Sequence, residues 1–106
     1  MREDLAKREG QRLRVQAKID RYGSTPDGSV YLLTDVRDMS SGEELTDHVW
    51  MPIGKWAAGL RPGDIIAVDV TIKAYIKGNS WKSVDFRLAQ ARNAEIVVQG
   101  PIPRIR

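Results

Sequence analysis

The chain of 106 residues contains no cysteine and a single histidine, His48. Without thiols there is no disulfide framework, no thiolate metal site and no Cys nucleophile. One imidazole excludes any centre built on two, the His-Glu-x-x-His signature among them. No apolar run approaches the roughly 18 residues of a membrane span. The opening Met1-Arg2-Glu3-Asp4-Leu5 lacks the apolar stretch of a secretion signal. The absence of cysteine also suits a reducing compartment, so the expectation is a cytoplasmic protein with no membrane partner. Neither G-x-x-x-x-G-K-[ST] nor G-x-S-x-G occurs. Glu43 and Glu44 are adjacent and point to opposite faces of an expected strand, which is poor geometry for shared acid–base work. The expectation is a protein without catalysis, metal or cofactor.

What remains is globular in character: 42% hydrophobic and 29% charged residues, in a length that suits one domain. Apolar residues alternate with polar ones, the pattern of half-buried strands. In Leu13–Ile19 the odd positions Leu13, Val15, Ala17 and Ile19 are apolar, and the even positions Arg12, Arg14, Gln16 and Lys18 are polar. A turn-rich cluster from Tyr22 to Ser29 follows. A second strand covers Val30–Arg37, with Val30, Leu32 and Val36 assigned to one face and Tyr31, Leu33 and Arg37 to the other. The segment 38–43 is a loop. The third strand is Glu44–Met51, with Leu45, Val49 and Met51 inward and Thr46, His48 and Trp50 outward, and Pro52 ends it. Gly54–Leu60 holds several good helix formers and is expected to make one or two helical turns. Arg61-Pro62-Gly63-Asp64 has the Pro and Gly positions of a type II turn. The fourth strand, Ile65–Lys77, has apolar residues at every even position from Ile66 to Ile76. Gly78-Asn79-Ser80 is a hairpin turn, and a fifth strand runs from about Lys82 to Ala89. Gln90–Asn93 interrupts that pattern and Ala94–Gln99 resumes it.

The order strand–strand–strand–helix–strand–strand, with Leu60-Arg61-Pro62-Gly63-Asp64 leading into strand four, resembles the OB-fold nucleic-acid-binding proteins, among them small single-domain proteins of the single-stranded DNA-binding type. The resemblance covers about residues 11–99. It implies an all-β, five-stranded barrel with a short helix between strands three and four. Residues 1–10 are then an N-terminal extension with a short helix, and residues 100–106 an extended basic tail. That tail departs from the acidic tip usual in bacterial single-stranded DNA-binding proteins, so partner recruitment of that kind is not expected.

Charge is distributed unevenly. Residues 1–53 carry 8 basic and 10 acidic side chains, whereas residues 54–106 carry 9 and 4. The acidic excess concentrates between Asp35 and Asp47, which a phosphate backbone should avoid. The fourth strand and its hairpin interleave cations with rings: Lys73, Tyr75, Lys77, Trp81 and Lys82. Single-stranded nucleic acid calls for that combination, because cations meet phosphates and flat rings stack on unpaired bases. His48 and Trp50 on strand three, Arg14 and Lys18 on strand one, and Tyr22 at the first turn complete the candidate set. Each has a plainer reading: lysines on any solvated strand face, Tyr75 covering the side of the barrel, and Trp50 turned inward by a one-residue slip. Trp56 is expected to plug the core. The expected partner is single-stranded DNA ahead of RNA, with a homodimer as a further possibility. The competing expectations are a protein-interaction or oligomerisation module and an RNA-binding accessory domain of the anticodon-binding type.

Overall fold

The computed structural model describes residues 5–76 and 84–100, and of Tyr75, Ile76 and Val84 the backbone alone. Five strands form one antiparallel sheet: β1 (Arg12–Thr25), β2 (Gly28–Asp38), β3 (Glu44–Pro52), β4 (Ile65–Ile76) and β5 (Val84–Val98). Their order across the sheet is β3-β2-β1-β4-β5. β1 is therefore central, flanked by a local hairpin partner on one side and by β4 on the other.

The alternation in β1 and β4 translates directly into a core. Val15, Ala17 and Ile19 pack with Ile66, Val68, Val70 and Ile72, all essentially inaccessible to solvent. β2 and β3 add Leu33, Val36, Leu45, Val49 and Met51, and β5 adds Leu88. Burying a side chain of this kind stabilises the fold by about 1.5–3 kcal/mol. Leu5 also lies in this core at 0% exposure. It is held there by a short N-terminal turn that closes onto β4, with Gly10 donating to the Ile72 carbonyl and Ile72 donating to that of Gln11. Arg8 fastens the same turn to the β2–β3 loop by bridging the carboxylates of Asp38 and Glu43.

Several expectations are corrected. The sheet is not closed into a barrel. β3 and β5 are its two edges, and they approach one another without forming a ladder. A groove of about 330 Å³ lies between them, lined by Met51, Ile53, Trp56, Leu88 and Ala91 among others. Pro52 ends β3 without a donor, and β5 meets β4 through repeated register shifts. The helix expected over Gly54–Leu60 is only a three-residue 3₁₀ turn, Lys55–Ala57. Gly54 before it is extended, and Gly59 after it has φ +80°, so helical geometry is interrupted at both ends.

The cluster from Tyr22 to Ser29 is not a loop but the continuation of β1 and β2, joined through Pro26 and Asp27, with Thr25 opposite Gly28. On β2 Val36 shares the inward face with Tyr31 and Leu33, and not a face with Val30 and Leu32. A bulge explains the change of phase. Asp35 has φ +52°, and the register with β1 slips there by one residue. The apparent interruption at Gln90–Asn93 has the same origin. Gln90 and Asn93 take φ +53° and +56°, and β5 runs on through both, absorbing extra residues opposite β4. The Arg61–Asp64 turn forms as expected, with Gly63 at φ +97° and Asp64 N–H donating to the Arg61 carbonyl. The Asp64 carboxylate, buried, accepts from the backbone N–H groups of both Arg61 and Gly100, so it ties the end of β5 to this turn.

Candidate nucleic-acid interface

Register decides which outward side chains stand together. Thr34 of β2 lies opposite Lys18 of β1 and opposite His48 of β3, which makes the row Lys18–Thr34–His48. The next row is Arg21–Leu32–Trp50. A third is Gly23–Val30–Pro52. All three lie on the face of the sheet turned away from the core. Lys18 is exposed and makes no ion pair among the described residues. Trp50 is 45% exposed although it is a large apolar side chain. Its six-membered ring reaches over the backbone of Gly23, where an added Cβ would come within 2.8 Å of Cζ3. The far end of the ring thus sits against the sheet while much of the side chain stays open to solvent.

His48 Nδ1 is 3.0 Å from Asp47 Oδ1. This neighbour holds the Asp47 carboxyl below the usual carboxylate range. Arg21 pairs with Asp20 through Nε at 2.9 Å, an exposed contact of small energetic weight. Among the described residues no three His, Cys, Asp or Glu side chains are placed to share a metal ion.

Tyr22 stands at the end of the sheet and is 58% exposed. Its hydroxyl is 2.6 Å from Ser29 Oγ. Its ring meets Tyr31 edge-on at 6.4 Å, and Tyr31 meets Trp56 in the same manner at 6.5 Å. Tyr31 is buried, with its hydroxyl donating to the Leu60 carbonyl, and Trp56 donates through Nε1 to the Pro52 carbonyl. Trp56 therefore packs against the core from the 3₁₀ turn, and Tyr22 is the solvent end of a row of three rings.

Arg14 has a different environment. It pairs with Asp69 at 3.0 Å and with Glu95, and it donates to the Asn93 carbonyl. These contacts cross from β1 over β4 to β5, so the guanidinium is committed within the protein. Asp69 is held below its ordinary pKa, first by the Asn93 amide and then by Arg14. Lys73 is exposed on β4 and stands opposite Arg87 of β5. Tyr75 is in β4 opposite Asp85, with only its backbone described. Lys77, Trp81 and Lys82 lie outside the described residues. The structure thus brings Lys18, His48 and Trp50 together on one face, puts Tyr22 on the opposite, core-side face beside Tyr31, and places Lys73 on the other half of the sheet.

Alternation alone pointed His48 and Trp50 outward. It gave no hint of Thr34 and Gly23 as their neighbours, because the pairing passes through bulges in both β1 and β2. Arg92, which stands near Arg12 around a bulge of β5, was missed, whereas alternation already placed Arg12 among the outward cations of β1. No family model, curated protein or solved structure matches the chain.

Proposed function

We propose that this protein binds single-stranded nucleic acid, DNA ahead of RNA, without catalysis, and presents or protects a strand during replication, recombination or repair. The observation that carries the reading is the outer face of β1–β2–β3, where the half-exposed Trp50 ring reaches over Gly23 one row from Lys18 and His48. A ring with a free surface takes an unpaired base, and a cation without a carboxylate partner takes the adjoining phosphate. The strand order and the turn between β3 and β4 also suit an OB-like sheet. That fold is a partly open five-stranded barrel whose β2–β3 face and loops take oligonucleotides. In this reading the β4–β5 hairpin contributes Lys73, Tyr75, Lys77, Trp81 and Lys82, as the interleaved sequence suggests.

The test is a titration with oligo-dT followed by tryptophan fluorescence over a range of NaCl concentrations. Quenching is expected, with log K falling against log salt by about 0.7 for each phosphate neutralised. Trp50→Ala should weaken binding by the worth of one stacked base, about 1–3 kcal/mol. Absence of salt-sensitive quenching at micromolar protein would refute the reading.

A second reading, an oligomerisation module, is favoured by one feature. Ile96, Val97 and Val98 are exposed on β5, an edge strand of the sheet. Light scattering on the same samples separates the two: a concentration-dependent dimer that ignores oligo-dT supports the second reading against the first.

A further inference from the structure

The half of the sheet away from Trp50 carries a second feature. Arg12, Gln90 and Arg92 line a small polar cleft of about 210 Å³. β1 supplies Arg12 and β5 supplies the other two, with β4 between them. The Arg12 guanidinium is held by Nη1 alone, which donates to Thr71 Oγ1 at 3.1 Å and to the Gln90 carbonyl at 2.8 Å. Both acceptors are neutral, and Nε and Nη2 keep their donors. Arg92, opposite Asp69 in the β4–β5 ladder, is exposed, and its side chain makes no hydrogen bond or ion pair among the described residues. Gln90 sits in the left-handed region, which a non-glycine residue rarely adopts. That conformation belongs to the bulge that displaces β5 and turns its carbonyl to Arg12.

The neighbouring carboxylates are already engaged. Asp69 is bonded to Arg14 and Asn93, and Glu95 to Arg14. Arg14 therefore forms the ion pairs with the local acids; Asp69 interacts with Arg12 only through space, and neither Arg12 nor Arg92 has a carboxylate within ion-pair distance among the described residues. Paired guanidiniums match the oxygens of a phosphate, which accept several parallel N–H bonds. We infer that the Arg12–Gln90–Arg92 cleft is a phosphate-binding site.

The cleft does not stand alone. The Arg12–Thr71–Ala89 row is followed along β4 by the row of Lys73 and Arg87. Rows two residues apart step by about 6.6–6.8 Å, which is comparable with the spacing of successive phosphates on an extended strand. A phosphodiester backbone is therefore the fitting source of the phosphate, and that source, unlike the site, rests on the nucleic-acid reading above. Arg12 also supports the bulge, so Arg92 is the residue to vary.

The experiment records the Arg92 side-chain NMR signals and the binding isotherms with inorganic phosphate and with oligo-dT in low-chloride buffer. It compares wild type, Arg92→Ala, Arg92→Lys and Trp50→Ala. Phosphate should shift the Arg92 signals. Arg92→Ala should weaken oligo-dT binding about tenfold and reduce the salt slope by about 0.7. Arg92→Lys keeps the charge without the fork and should fall between the two. Unchanged melting temperatures would establish that the variants fold. If oligo-dT fails to bind but phosphate still shifts Arg92, the site stands with free phosphate as its ligand and the nucleic-acid reading falls. If oligo-dT binds through Trp50 and Arg92→Ala changes neither affinity nor slope, the reading stands and the phosphate site is overturned. Phosphate that leaves the Arg92 signals unmoved, with oligo-dT affinity independent of residue 92, overturns it equally.

Discussion

Gly23 shows how one missing side chain shapes a surface. Its backbone is not in the left-handed region, so the residue is not needed for a turn. It is needed because the Trp50 ring occupies the space of a Cβ, 2.8 Å from Cζ3. Gly23→Ala should lift the ring from the sheet at little cost to folding, since the far end of one side chain can move. The expected outcome is a red-shifted Trp50 emission and oligo-dT affinity reduced severalfold, with the urea midpoint nearly unchanged. An unaltered emission spectrum would mean that the ring is not seated on Gly23. The alternation of β3 pointed Trp50 outward, but the glycine beneath it comes from β1 across β2. Such a relation depends on register summed over two strand pairs, and a single-sequence pattern does not carry it.

At the scale of elements, strands were legible wherever the period of two was unbroken. Leu13 to Ile19 and Ile66 to Ile72 fold with the alternation their sequences show. The phase was lost where one extra residue enters a strand. Asp35, Gln90 and Asn93 are residue types that tolerate positive φ to different degrees, and none of them reads as a bulge without its partner strand. Gly54–Leu60 misled because its helix formers are bracketed by conformations a helix does not allow. The N-terminal turn is the converse case. Leu5 closes a mostly charged opening stretch, yet it is completely enclosed. Leu5→Ala should cost about 2–5 kcal/mol, measured as a lower urea midpoint with an unchanged slope. A loss below about 0.5 kcal/mol would show that the turn is not part of the cooperative unit.

Across the whole molecule, acid sensitivity follows from carboxylates held in the charged form. Asp38 accepts from the Ser40 backbone N–H, from Arg8 and from the Ser40 hydroxyl. Its pKa is lowered, first by the Ser40 N–H and then by Arg8. A carboxyl depressed in the folded state adds stability that is present above its unfolded pKa, about 3.9. That contribution is lost as pH falls through the folded value, because the unfolded chain then binds the proton more readily. The urea midpoint should accordingly be level from neutral pH to about 5 and decline below about 4. Asp38→Asn should lower the neutral-pH midpoint and flatten the acid decline. An identical acid profile in the variant would assign the sensitivity elsewhere, with Asp69 the next group to vary.

The strand order also has a kinetic meaning. β1, β2 and β3 pair as sequence neighbours, and so do β4 and β5, so each group can assemble by short-range zippering. Among the described residues, only the β1–β4 ladder, from Arg12 opposite Thr71 to Lys18 opposite Ile65, pairs strands far apart in the chain. Closing that long loop is the slow, entropically opposed event for such a topology. Arg12 and Arg14 both reach from β1 over β4 to carbonyls of β5. They act as clasps on this junction, and their contacts form only once the two groups of strands have met.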